Sequence, residues 1–202
     1  MAPDVRRSKP VQARSRAMVE RILEAATRVL ATGGYAQLST NRVADEAEVS
    51  IGSLYRYFRD KDEIIAELQA RASSGIVEEI TTAMADAATM AAYEGTRHVV
   101  ATLVASLRAR GPLISAMINE VPLGSHTNAL PEVERGLAVF TRMYAVQRAP
   151  QLPREELEAR VYLAMGITLS SCLRIALEKP EHLDAEHLID LTAGMLALGL
   201  TV

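Results

Sequence analysis

Between Ile51 and Lys61 the chain concentrates two phenol rings and three cations: Tyr55, Arg56, Tyr57, Arg59 and Lys61. Hydroxyl and cationic donors of this kind suit a phosphate backbone. The small or moderate Ile51, Gly52 and Ser53 just before them let a backbone approach base edges. Bond-making chemistry has no comparable set. His98, His126, His182 and His187 lack metal-ligand spacing, and the sequence has neither a Gly-x-Ser-x-Gly elbow nor a glycine-rich phosphate loop. Cys172 lies within an apolar helical stretch, where burial is the expected fate. Capping and a solvated face account for His182, Asp184, His187 and Asp190. The expectation is a chain that is not an enzyme and uses no cofactor and no metal.

These donors need elements to aim them. Ser39 and Thr40 can cap a short helix with Val43, Ala44 and Ala47 on one side. Ser50 can cap a second, which carries Leu54 and Phe58 at i and i+4. Two short helices about a three-residue turn apart form the geometry that sets the second helix into the major groove of DNA. Ahead of them, Met18, Ile22, Ala25 and Val29 predict a helix over about 13–32, stopped by Gly33-Gly34. Behind them, Asp60 and Glu63 form a capping box that opens a longer helix with Ile64, Ile65 and Leu68 buried.

Beyond that, Ser73-Ser74-Gly75 is the weakest point, and we expect a domain boundary there as a change of packing partner. Apolar periodicity resumes over 76–92. Further punctuation falls at Glu94-Gly95, Gly111-Pro112, Val121 to Pro131, Pro150 to Pro153 and Lys179-Pro180, with Pro112, Pro131 and Pro153 where first helical turns begin and Asp184 as a cap. Nothing reads as strand, so the expected fold is all-α with about nine helices.

Composition agrees. The 202 residues are 49% apolar and 23% charged, with 4% aromatic residues and no Trp, which excludes disorder and favours helix. The longest uncharged run, Val161 to Leu173, is shorter than the roughly 20 residues of a membrane span. The N-terminal stretch has no apolar signal segment, and one cysteine cannot form an internal disulfide. A cytoplasmic protein without a membrane partner is expected. The net charge of −3 hides an asymmetry: residues 1–59 carry ten basic and six acidic side chains, so that part is +4 and the remainder −7.

The segment Leu38 to Leu68, LSTNRVADEAEVSIGSLYRYFRDKDEIIAEL, closely resembles the helix-turn-helix signature of the TetR/AcrR family of transcriptional regulators, and the preceding helix extends the likeness back to about residue 14. The resemblance implies a basic flexible arm over 1–12, a helix-turn-helix DNA-binding domain over 13–74 and a ligand-binding and dimerisation domain over 75–202. It implies a homodimer that represses from a near-palindromic double-stranded operator and is released by a small-molecule effector. Carried over residue by residue, Thr40 and Tyr55 resemble phosphate contacts, Lys61 a phosphate contact at the start of the fourth helix, and Tyr57 a position that touches DNA. Asn41, Arg42, Ser50, Ile51, Gly52 and Ser53 fall where such proteins vary their base readers. An alternative is a helical ligand-binding or interaction protein without DNA function.

Two positions in this segment stay open. The family commonly has Gly in the turn where this chain has Glu48, and a non-Gly residue in αL costs about 1 kcal/mol. The helical wheel would bury Ile51 with Leu54 and Phe58, whereas its place in the first turn would aim it at a thymine methyl. The arm with Arg6, Arg7 and Lys9 reads as a solvated tail, or as a minor-groove arm of the kind some helix-turn-helix proteins use.

In the acidic remainder, Met84, Met90, Met117, Phe140, Met143 and Tyr144 are soft or aromatic groups that could line a largely apolar effector pocket. Small residues recur on the last two helices. We expect those helices to pair with their symmetry mates in a four-helix bundle through Tyr162, Gly166, Leu169, Ser170, Leu173, Leu191, Met195 and Leu198.

Overall fold

Apolar stripes at helical spacing become helices throughout the residues that the computed structural model describes, 8–119 and 130–201. Among them are nine α-helices and no strand: α1 (Ser8–Gly33), α2 (Thr40–Glu46), α3 (Ile51–Tyr55), α4 (Lys61–Ala87), α5 (Ala92–Ala109), α6 (Gly111–Asn119), α7 (Leu130–Arg148), α8 (Arg154–Leu177) and α9 (Ala185–Thr201), with a single 3-10 turn at Tyr35–Gln37. The described residues form two compact units. One holds residues 8–69 and 112–119, the other 70–111 and 130–201, so their division falls inside α4.

In the first unit, α1 buries Ile22, Ala25, Ala26, Val29 and Leu30 and packs along α2, which packs on α3. Leu54 and Phe58 are buried, as are Ile64, Ile65 and Leu68 of α4. α1 begins five residues before the expected start. Pro10 does not prevent this, because a proline in the first turn lacks an N–H that has no helical acceptor there anyway. Lys9 therefore lies in the helix, while Arg6 and Arg7 lie outside the described residues.

Two glycines expected to interrupt helices have other work. α4 runs unbroken through Ser73, Ser74 and Gly75. A Cβ at Gly75 would sit 2.5 Å from a guanidinium nitrogen of Arg110, whose Nη2 donates to Glu79 Oε1 at 2.7 Å. Glycine there makes room for an ion pair between α4 and α5. Gly95 lies inside α5 rather than before it, and the break falls at residues 88–91. A Cβ at Gly95 would meet the Ala87 carbonyl oxygen at 2.9 Å, so this glycine lets the start of α5 approach the end of α4.

The second unit is a bundle in which α5 packs on α8 and α9, α7 on α8, and α8 on α9. Leu103, Val104, Leu107, Val161, Cys172 and Ala193 are among its buried residues. Polar straps cross its surface: Arg97 donates to Asp190 at 2.6 Å and to Glu186 at 2.7 Å, joining α5 to α9. Asp184 caps α9 as expected, accepting from the His187 N–H at 2.8 Å. By length and composition alone α8 could cross a bilayer; here it lies along α5, α7 and α9.

Burial pushes the Cys172 thiol up to about 12. A thiol reagent at pH 8 should therefore leave Cys172 unmodified in the folded protein and label it once urea unfolds the chain; rapid labelling of the native protein would contradict this burial. Hydrogen bonds from Arg110 and Ser106 hold the Glu79 carboxyl below its usual range. The stability it supplies is complete above about pH 4.5 and is lost as pH falls through the lower folded-state value. Glu79→Gln should flatten that part of a plot of urea midpoint against pH.

Candidate nucleic-acid interface

The turn between α2 and α3 sets the orientation of everything that follows it. Glu48 adopts φ 52, the left-handed conformation that glycine usually supplies at this point. The Val49 N–H donates to the Ala44 carbonyl and the Glu48 N–H to the Asp45 carbonyl, each at 3.0 Å. This pair of bonds is the Schellman closure of a helix C-terminus, so the turn has ordinary geometry built on an unfavourable residue. Arg21 of α1 holds the exposed carbonyls: its Nε donates to Ala47 O at 2.7 Å and its Nη2 to Glu48 O at 3.0 Å. One helical repeat along, Arg28 pairs with Glu46 at 2.6 Å. Two of the cations counted in the basic N-terminal part are thus turned toward the end of α2, where positive charge complements the helix dipole.

α2 and α3 begin as the sequence predicts. Ser39 caps α2 by accepting from the Arg42 N–H at 3.3 Å. Ser50 caps α3 by accepting from the Ser53 N–H at 3.1 Å, and the two serine hydroxyls lie 2.8 Å apart. Asp60 accepts from the Glu63 N–H at 2.9 Å, while Glu63 reaches back to the Arg59 N–H at 2.7 Å. The capping box therefore closes one residue earlier than its usual form.

With Leu54 and Phe58 buried behind it, α3 turns its first residues outward. Ser50, Ile51 and Gly52 are exposed, and nothing lies within 4 Å of where a Cβ at Gly52 would be. Ile51, which the helical wheel left open, is 37% exposed, so the first-turn position prevails over the wheel. Tyr55 is 52% exposed and its hydroxyl lies 3.3 Å from Thr40 Oγ1. Thr40, Ser53, Tyr57 and Lys61 are half-buried, whereas Asn41 and Arg42 are exposed. Lys61 Nζ stands 4.2 Å from the centroid of the Tyr35 ring, and Arg42 Nη1 donates to Gln37 Oε1. Sequence reasoning did not single out Arg21, Tyr35 or Gln37. The only sequence trace of Arg21 is a cation on the polar flank of α1.

In the second unit, Met84, Met143 and Tyr144 line one open cleft of about 900 Å³ between α4 and α7, with Arg142 and Gln147 at its polar positions. Tyr144 also borders a small, partly open space of about 40 Å³ among α5, α7, α8 and α9, rimmed by Thr96, Thr141 and Thr168. Met90 is half-buried; the side chains of Met117 and Phe140 lie outside the described residues. On α8, Tyr162, Gly166, Leu169, Ser170 and Leu173 border a surface groove of about 1030 Å³ against α7. Tyr162 is 79% exposed, and Leu191, Met195 and Leu198 of α9 are at least half exposed. Gly166 and Gly194 face open space.

Replacing Glu48 with glycine relieves the left-handed strain, so Glu48→Gly should stabilise the protein by about 1 kcal/mol. Arg21→Ala, which leaves two turn carbonyls without their donor, should destabilise it by about 1–2 kcal/mol. Urea midpoints compared with the unaltered chain check both, and a destabilised Glu48→Gly would contradict the strain.

The family model described as bacterial regulatory proteins, tetR family, matches residues 22–68, which run from α1 into α4. The HTH-type transcriptional repressor KstR of Mycobacterium tuberculosis is 25% identical over 177 residues, spanning 88% of this chain and 79% of that protein. Among solved structures, the transcriptional regulator FadR of Bacillus subtilis, in complex with stearoyl-CoA, aligns with TM-score 0.68 at 20% identity over 89% of this chain and 98% of that one. A protein of unknown function from Rhodococcus sp. RHA1 aligns with TM-score 0.72 at 16% identity over 92% and 96% of the two chains. At these identities the structural likenesses speak to the fold. Through residues 22–68, the chain is similar to the tetR family of bacterial regulatory proteins.

Proposed function

We propose that this protein is a cytoplasmic transcriptional repressor that binds a near-palindromic double-stranded operator as a homodimer and is released by a small-molecule effector. The observation that carries the reading is the uncovered start of α3: Ser50, Ile51 and Gly52 are exposed while Leu54 and Phe58 anchor the helix from behind. Ile51, Gly52 and Ser53 would meet base edges, with Asn41, Arg42 and Ser50 beside them. Thr40 and Tyr55, whose hydroxyls already lie together, would share a phosphate, with Tyr57 and Lys61 contacting the backbone nearby. The described repressor function of KstR is consistent with this reading.

Dimerisation would use the exposed apolar residues of α8 and α9. Tyr162, Leu191, Met195 and Leu198 each leave a large apolar side chain at least half exposed, the kind of surface that marks an interaction site where such residues adjoin. Two copies would set their recognition helices roughly 34 Å, or a multiple of that, apart on the DNA. The effector would be largely apolar and occupy the cleft lined by Met84, Met143 and Tyr144; the Bacillus subtilis FadR, similar in fold, is described in complex with stearoyl-CoA, which is consistent with an apolar effector. Tenfold weaker operator binding requires only about 1.4 kcal/mol of preferential effector binding to the DNA-incompetent state.

An acidic, non-glycine Glu48 in the turn is the sequence feature that most favours a helical protein without DNA function. That support weakens once Glu48 is seen to complete the same turn that glycine would. In gel shifts with the DNA upstream of the protein's own gene, Tyr55→Phe and Lys61→Ala should weaken binding across sequences, whereas substitutions at Ile51 or Ser53 should change which sequence is preferred. Uniform behaviour of all four would remove the base-reading role. Retention on duplex DNA that does not decrease with salt would remove DNA binding itself.

A further inference from the structure

We infer that the turn Tyr35–Gln37 is a positioning element for two cations of the proposed DNA face, holding Lys61 with the ring of Tyr35 and Arg42 with the side-chain carbonyl of Gln37. The inference rests on that face being a DNA surface. A lysine in the first turn of a helix faces the positive end of the helix dipole and is disfavoured there. Lys61 occupies this place on α4, and its Nζ lies 4.2 Å from the Tyr35 ring centroid, within cation–π range. The same ring is tied to α4 from its other end, since the Tyr35 hydroxyl donates to Asp62 Oδ1 at 3.3 Å. One residue pair thus fixes both the ring and the ammonium it faces.

Gln37 does the equivalent for Arg42, accepting from its Nη1. The glycine pair that ends α1 makes this possible. Gly34, at φ 66, turns the chain. A Cβ on Gly33 would lie 2.6 Å from Gln37 Cβ and 3.8 Å from Arg42 Nη1, so Gln37 lies over a position that only glycine leaves clear. Tyr35 and Gln37 need not touch DNA. They order two long side chains before binding, and less conformational freedom then remains to be lost when a phosphate is engaged.

The test measures binding of the full-length protein to a labelled random-sequence duplex of about 30 base pairs at low salt, where phosphate attraction dominates. Tyr35→Leu should weaken binding about two- to fivefold, the range of an exposed cation–π contact, while Tyr35→Phe, which keeps the ring and loses only the hydroxyl's bond to Asp62, should lose less than Tyr35→Leu. In a Lys61→Ala background, Tyr35→Leu should have no further effect. Gln37→Met should behave the same way against Arg42→Ala. Equal losses in both backgrounds, or no loss from Tyr35→Leu or Gln37→Met, would overturn the positioning role of the residue concerned. If Lys61→Ala alone left binding unchanged, the phosphate role of Lys61 would fall first, and with it the assignment of Tyr35. Should Tyr35→Leu fail to fold, progressive ring fluorination within Tyr35→Phe replaces it. Affinity should then drop as the ring face loses negative potential, and a flat series overturns the proposal.

Discussion

The geometry of the candidate interface depends on one backbone torsion. Glu48 must be left-handed for α2 to end and α3 to leave at the observed angle, and nothing in a glutamate favours that state. The conformation holds because neighbours over-determine it. Two Schellman hydrogen bonds close the end of α2, and Arg21 reaches across from α1 to the two carbonyls that the turn exposes. Remove that support and the outward aim of Ser50, Ile51 and Gly52 would no longer be determined by the core beneath them.

Both units use charge to hold helices together, so formal charge is a poor guide to which cations face a partner. Arg21 and Arg28 serve the end of α2. Arg110 seats itself over Gly75 to reach Glu79, and Arg97 joins α5 to α9. Exposed cations that remain in the first unit include Arg14, Arg16, Arg42 and Arg56, the last two close in sequence to Asn41, Tyr55 and Tyr57. In the second unit, α8 and α9 bury one apolar face, including Val161, Cys172 and Ala193, yet leave Tyr162, Met195 and Leu198 mostly exposed, a set that the core does not use.

Much of this could be read from spacing. The stripe from Ile22 to Val29, the caps Ser39, Ser50, Asp60 and Asp184, and the buried pair Leu54 and Phe58 are local patterns, and local patterns survive folding. What escaped detection were relationships between residues far apart in sequence. Gly75 and Gly95 look like helix breakers until Arg110 and Ala87 are seen beside them. Glu48 looks like a defect until Arg21 is found nearby in space. Ile51 could not be assigned because its periodicity and its position in the first turn gave opposite answers, and its exposure in the folded chain decides it. The candidate contacts on α2 and α3 were legible as a group through their spacing. Their supports in the 3-10 turn were not, since a tyrosine and a glutamine beside two glycines carry no periodic signal.

Thr96, Thr141 and Thr168 rim a small, partly open space inside the second unit. The threonine hydroxyls at 96 and 168 bond back to carbonyls in their own helices, so the rim is already satisfied and does not draw the surrounding walls inward. A space of about 40 Å³ corresponds to at most about 24 mL/mol, and the volume change of unfolding scales with such space as is closed to water. Hydrostatic pressure should therefore favour unfolding of this bundle, and a guest that filled the space should oppose it.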